Sequence, residues 1–324
     1  MTDPASPPPP HGDATGPGLS ADDLVRATGG RLLSASTRPV LGAAVDSRLV
    51  VPGNLFVALP GERTDGHRFV GAAIAAGASA VLVSDEPSEA DLAAAAAADA
   101  AIVHVPDSLR GLWAIAADWR SRFDPLVVGV TGSIAKTSSK EAIATVLSAQ
   151  LVTLKNEGNQ NNEIGLPLTL MRLRPDHQAA VLEMGRYVGG EIADLAAMGR
   201  PEIGVVTAVQ AVHLSRIGSL RAIERAKGEL LEALPPSGTG ILNADDPIVR
   251  DMYVRTVARC VTYGFAEDAD VRAEGVESAG LAGMRFELRA GGERRPATIP
   301  TLGRQAVHNA LAAAAVGTAA GLDL

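Results

Sequence analysis

The sequence predicts an α/β fold: a small N-terminal α/β domain, then a mostly parallel sheet with helices on both faces. Three observations lead there. Short apolar runs alternate with helix-length segments along the chain, and repeated strand–helix alternation implies parallel strands joined by crossover helices. The composition is 47% hydrophobic but only 3% aromatic, so the apolar residues are mainly Ala, Val and Leu, which suits strands buried on both faces. The length, 324 residues, fits about two domains, and Phe123-Asp124-Pro125 breaks the pattern where one would end.

Taken in order, residues 1–18 are rich in Pro and Gly and lack a basic or apolar leader segment. They read as a disordered tail rather than a secretory signal. The first domain is expected over 19–124. Ser20 is placed to cap a short helix that Gly29 and Gly30 end. Apolar runs follow at Leu41–Val45 and Leu55–Leu59, a helix at His67–Ala76 and a strand at Ala80–Val83. Aspartates bracket the alanine run near Leu92–Ala98, which reads as a helix. Ala101–Val105 reads as a strand and Ser108–Ser121 as a longer helix. The second domain is expected over 125–324. Its strands are Leu126–Val130, Ala179–Leu182, Ile203–Val206, Gly240–Leu242 and Cys260–Tyr263. Asp270–Ile299 alternates more and suggests an antiparallel excursion, and Ala306–Ala320 a final helix.

Charge and cysteine content exclude some functions. A net charge of −8 without a basic run argues against a nucleic-acid partner. Cys260 is the only cysteine, so an internal disulfide or a cysteine-rich zinc site is excluded, and Cys260 itself reads as core. No stretch is apolar for the roughly 18 residues a membrane span needs.

The chemistry concentrates after Leu126–Val130. Thr131-Gly132-Ser133-Ile134-Ala135-Lys136-Thr137-Ser138 separates that strand from the helical run Ala142–Leu147. Strand, small-residue loop, Lys-Thr and helix form the context of a phosphate loop. Backbone N–H groups there point at phosphate oxygens. Lys136 would bring positive charge to the terminal phosphates, and the Thr137 hydroxyl would bind Mg²⁺. A standard phosphate loop has Gly before the Lys, and Ala135 stands there instead. A left-handed backbone would cost Ala about 1–2 kcal/mol, ordinary helical space almost nothing. Both remain open from sequence. Glu183, at the end of a buried strand, faces the crevice where such sheets bind ligands, and can hold Mg²⁺ through oxygen.

GVTGSIAKTSSKE resembles the ATP-binding signature of the Mur ligase family. Further segments resemble the family in order: NEGNQNNEIGLPLTL at 156–170, VLEMG at 181–185, Ala226-Lys227-Gly228-Glu229, LNADDP at 242–247 and His308-Asn309-Ala310-Leu311. So do Asp46-Ser47-Arg48, Pro52–Leu59 and Gly61–His67 in the first domain. The resemblance is nearest to members that join D-alanyl-D-alanine to UDP-N-acetylmuramoyl-tripeptide. It implies a cytoplasmic ATP- and Mg²⁺-dependent amide ligase of peptidoglycan precursor synthesis, expected as a monomer. It implies Lys136, Lys227 and His213 as catalytic residues. Thr137, Glu183 and His213 would hold metal, and Lys227 would be carbamylated. Asn243 and Asn309 would join Thr131–Ser133 and Ala135–Ser138 around the nucleotide. Ser47, Arg48 and Asn162 would face the UDP-linked substrate, Arg48 as a fork on pyrophosphate oxygens. Taken singly, a loop His, a helix Lys or a turn Asn is ordinary; the motif order raises their standing. His308 reads as structural. The family's third, C-terminal domain would begin where the sequence stops, so this chain is expected to bind substrate and nucleotide but to ligate poorly alone. Two rival readings are a non-catalytic remnant that binds nucleotide or UDP-sugar, and a sister ligase adding another amino acid.

Overall fold

The computed structural model describes residues 18–61, 64–185, 189–211 and 219–323. Apart from Gly18, the expected N-terminal tail lies outside them, as do His213 and the Glu62-Arg63 pair. The chain forms two compact units: residues up to Phe123 with Leu170–Pro175, and Asp124–Thr169 with Asp176 onward.

The first unit holds α1 (Ala21–Thr28), β1 (Arg31–Ser34), β2 (Gly42–Ala44), β3 (Asn54–Val57), α2 (Val70–Ala75), β4 (Ala80–Val83), α3 (Glu89–Ala97), β5 (Ala101–His104) and α4 (Ser108–Arg120). The sheet order is β1-β5-β4-β3-β2, with only β1 antiparallel. Ser20 and Asp23 close a capping box on α1, and Gly29 ends it at φ 65°, satisfying donors and carbonyls a helix cannot pair internally. Phe56, Val81 and Ile102 of the central strands pack with Val70, Ile74 and Ala95 of the helices.

The second unit holds β6 (Leu126–Thr131), α5 (Lys136–Leu147), β7 (Thr153–Lys155), α6 (Gly165–Leu170), β8 (Ala179–Glu183), α7 (Glu191–Gly199), β9 (Ile203–Val206), α8 (Leu220–Glu232), β10 (Thr239–Asn243), α9 (Pro247–Arg250), β11 (Arg259–Gly264), β12 (Val271–Ser278), β13 (Met284–Ala290), β14 (Glu293–Ile299) and α10 (Arg304–Ala319). The order is β14-β13-β12-β11-β10-β9-β6-β8-β7. Strands β6 through β12 run parallel, and β12, β13 and β14 pair antiparallel. Ile143 and Leu147 of α5 and Val307, Leu311 and Val316 of α10 cover one face. Ile223 and Leu231 of α8 cover the other, with Val249 and Met252. The α/β class with helices on both faces therefore holds, as does the antiparallel excursion.

Strand β6 lies between β8 and β9, and the connections leave it in opposite directions. That is the switch point, where adjacent loops part and open a crevice at the carboxyl ends of the strands. Strands β1 and β7 escaped the sequence reading, and Cys260 is half-buried rather than core. Among the described residues no helix is long and apolar enough to cross a membrane.

Candidate active site at the switch point

Strand β6 is pinned where it ends. Buried Thr131 donates its hydroxyl proton to the Met184 carbonyl (2.8 Å), joining the ends of β6 and β8. Gly132 follows with φ 150°, and a Cβ there would lie 2.0 Å from Thr207 Oγ1, so only glycine fits. Thr207 Oγ1 donates to the Ile134 carbonyl (2.6 Å) and lies 3.2 Å from that of Thr131. Ser133 N–H donates to the Ala208 carbonyl at 2.8 Å. The loop is thus stitched to the end of β9.

These stitches fix the open question at Ala135. It stands at φ 63°, ψ 2°, in the left-handed region, and is the N-cap of α5. Steric crowding of Cβ costs about 1–2 kcal/mol there. Helix α5 has no side-chain cap, so no capping side chain takes its first N–H groups, as an anion cradle requires. Lys136 Nζ lies 3.4 Å from the Ser133 carbonyl. Burial holds its pKa below the ordinary lysine value, and the Glu183 carboxylate opposes that shift.

Glu183 ends β8 and is 1% exposed. Its Oε2 accepts from Thr137 Oγ1 (2.9 Å), and its Oε1 from Asn161 Nδ2 (2.6 Å). Asn156 grips the same residue by its backbone: Oδ1 accepts from Glu183 N–H (2.9 Å), and Nδ2 donates to the Glu183 carbonyl (3.1 Å). A hydroxyl and a buried carboxylate, side by side at the phosphate cradle, are hard oxygen donors, the set that fits Mg²⁺.

Beside the loop a cavity of about 420 Å³ is lined by Ile134, Ala135, Thr207, Asn243, Asp245 and His308, among others. Asn243 Nδ2 donates to the Thr207 carbonyl (2.7 Å), and its Oδ1 accepts from Asp245 N–H. His308 Nε2 lies 2.9 Å from Asp245 Oδ2, and its ring meets Tyr263 edge-on. Asn309 Oδ1 accepts from Ser139 Oγ (3.1 Å), tying α10 to α5. Lys227, on α8, is 3% exposed. Burial above all, then the Lys136 charge, push its pKa down to about 8 against the pull of Glu191 and Glu229.

Residues 130–317 match the model of the Mur ligase middle domain, and 40–120 that of the Mur ligase family catalytic domain. The chain belongs to the Mur ligase family. It is 41% identical over 281 residues to the UDP-N-acetylmuramoyl-tripeptide–D-alanyl-D-alanine ligase of Synechocystis, covering 86% of this chain and 58% of that protein. The Escherichia coli ligase of the same name is 38% identical, with 86% and 60% covered. The crystal structure of MurF from Acinetobacter baumannii superposes with a TM-score of 0.84 at 29% identity, covering 94% of this chain and 66% of that one. MurF from Thermotoga maritima in complex with ADP gives 0.77 at 26% identity, with 87% and 64% covered. The chain thus spans about 60% of the length of these curated relatives.

Within the second unit the Mur ligase fold brings together Thr131, Gly132, Ser133, Ala135, Lys136, Thr137 and Glu183, with Asn243 at the adjoining cavity. His213 cannot be placed, since it lies outside the described residues. Asn162 caps α6, its Oδ1 accepting from Gly165 N–H (2.8 Å), while its neighbour Asn161 meets Glu183. In the first unit Ser47 opens a 3-10 turn and Arg48, with its side chain 86% exposed, pairs with Asp46. Asn156, Asn161 and Thr207 were missed. The asparagine-rich run at 156–162 was the available signal, but its hydrogen-bond partners are mostly backbone groups, which a sequence does not single out.

Proposed function

We propose that this chain carries the UDP-substrate- and ATP-binding parts of a MurF-type ligase, which adds D-alanyl-D-alanine to UDP-N-acetylmuramoyl-tripeptide in the cytoplasm. The observation that carries the reading is the hydrogen bond of Thr137 to the buried Glu183 carboxylate, beside an uncapped helix N-terminus at the switch point of the sheet.

A carboxylate does not react with an amine at neutral pH without activation. In the proposed reaction a terminal carboxylate oxygen of the tripeptide attacks the γ-phosphorus of ATP, and ADP leaves. The amine of D-alanyl-D-alanine then attacks the acyl-phosphate carbon, and phosphate and a proton depart. Catalysis of the first step is a matter of position and charge. The α5 N–H groups and Lys136 would hold the phosphates, and Thr137 with Glu183 would hold Mg²⁺, which supplies further neutralisation of phosphoryl charge when bound. Lys227 suits carbamylation. Its depressed pKa leaves a larger neutral fraction to add CO₂, forming an N–C bond and releasing a proton, and the resulting anion with His213 would hold a second metal ion. Ser47 and Arg48 would contact the UDP moiety, and Asn243 and Asn309 the nucleotide.

The left-handed alanine at position 135 favours a second reading, a relative that binds nucleotide without turnover. Phosphate release separates the two. It is measured with ATP, Mg²⁺, UDP-muramoyl tripeptide and D-alanyl-D-alanine, with and without a supplied C-terminal domain from a relative. Turnover that needs every component supports the ligase. Nucleotide binding with no turnover in either mixture supports the second reading.

A further inference from the structure

Lys140 has no exposed surface at all, which is an expensive place for an ammonium group. Removing such a charge from water costs several kcal/mol unless its donors are met. Here they are. Nζ donates to the Asn156 carbonyl (2.7 Å) and the Gly158 carbonyl (3.3 Å), and lies 3.1 Å from Glu141 Oε1. A methionine would fill the same volume without that cost, so the charge needs a reason.

Its partners supply one. Asn156 is itself fully buried, and its amide holds both the N–H and the carbonyl of Glu183. The same amide donates to the Gln160 carbonyl (2.8 Å), next to Asn161, which donates to Glu183 Oε1. Helix α5 therefore reaches Glu183 twice: directly through Thr137, and through Lys140 by way of the 156–161 turn. The two routes end on different carboxylate oxygens.

We propose that Lys140 is a positioning residue. It clamps the 156–161 turn so that Glu183 is presented to a divalent cation at the phosphate loop. The proposal rests on Glu183 as the metal carboxylate. Groups that orient a metal ligand change metal affinity by about 10–100-fold when removed.

The test is calorimetric binding of ADP to the whole 324-residue chain, with and without Mg²⁺, for the native protein, Lys140→Met, Lys140→Gln and Glu183→Gln. In Lys140→Met, ADP affinity without Mg²⁺ should stay within about twofold, while the gain on adding Mg²⁺ should fall about tenfold. Lys140→Gln, which keeps a donor, should recover part of that gain. Equal losses with and without Mg²⁺, an unchanged gain, or unfolding of both Lys140 variants would assign Lys140 to the fold alone and overturn the proposal. A native chain indifferent to Mg²⁺, or a Glu183→Gln variant that keeps the gain, would instead remove the reading of Glu183 beneath it.

Discussion

The loop after β6 and the turn at Asp46–Leu49 are both candidate anion sites, yet they are built in opposite ways. Around the loop, Thr131, Thr207, Glu183 and Asn156, at the ends of neighbouring strands, are buried and their hydrogen bonds interlock, although Ile134, Thr137 and Ser138 are themselves exposed. In the turn, Arg48 is exposed and held by Asp46, which also accepts from its backbone N–H. A site that must stabilise charge during phosphoryl transfer gains from dipoles fixed beforehand in a dry setting. A site that only holds a substrate can exchange one partner for another as the ligand arrives. If both sites act as proposed, the difference ties rigidity to the demands of chemistry rather than to ligand charge, and that link can be broken at either end.

The largest effect is expected at Lys136. Lys136→Ala removes the cradle's cation and should lower phosphate release in the reconstituted mixture on the order of a thousandfold, about 4 kcal/mol. The thermal midpoint should not fall, because a partly buried ammonium is lost with the side chain. Near-native turnover would mean that the loop is not the phosphate site, and the comparison would lose its first member.

Lys227 extends the contrast to pH. A lysine whose pKa is about 8 in the fold and 10.5 in the unfolded chain is disfavoured when protonated, so the full penalty applies below pH 8. Between pH 8 and 10.5 the unfolded chain binds more protons, and stability rises with pH, by about 3 kcal/mol in all. Urea unfolding at pH 7 and pH 10, under CO₂-free conditions, should reveal this rise in the native chain and lose it in Lys227→Met. A native chain whose stability has the same pH dependence as that variant would show that Lys227 is not held in a site that disfavours its charge.

Ala135 offers a smaller and more local test. Ala135→Gly relieves the left-handed strain of about 1–2 kcal/mol but adds freedom to the unfolded chain, which takes back part of it. The net gain expected is about 1 kcal/mol, read as a higher urea midpoint at unchanged slope. A loss of stability would mean that the alanine methyl packs favourably enough to outweigh its backbone.

What the sequence discloses follows the same division. Strand β6, the Lys136-Thr137 pair and Glu183 were legible because buried apolar runs end directly in the groups proposed to act. The antiparallel excursion was legible from alternation over Asp270–Ile299. Strands β1 and β7 were not, since three or four residues with polar ends become a strand only when a neighbour pairs with them. The sign of φ at Ala135 was hidden because the loop around it is held by Thr207 and Ala208, which are distant in sequence. No role for Lys140 was legible within GVTGSIAKTSSKE, for its main partners are carbonyls, which every residue has.

The smallest effect belongs to the exposed turn, and it closes the comparison from the other side. Arg48 gives up little solvent where it stands, and exposed ion pairs contribute little to folding. Arg48→Ala should therefore leave the thermal midpoint unchanged while weakening a UDP-linked ligand about threefold. Arg48→Lys should recover only part of that, because an ammonium cannot offer the two parallel donors of a guanidinium to a pyrophosphate. Asp46→Asn separates the alternatives. If Asp46 only parks Arg48 until ligand binds, freeing the guanidinium should tighten UDP binding. If the carboxylate is needed to hold the turn, as its bond to Arg48 N–H suggests, affinity should fall along with that of Arg48→Ala. A drop in stability of about 2 kcal/mol or more in Arg48→Ala would show the turn to be rigidly built, and the proposed link between rigidity and chemistry would fail.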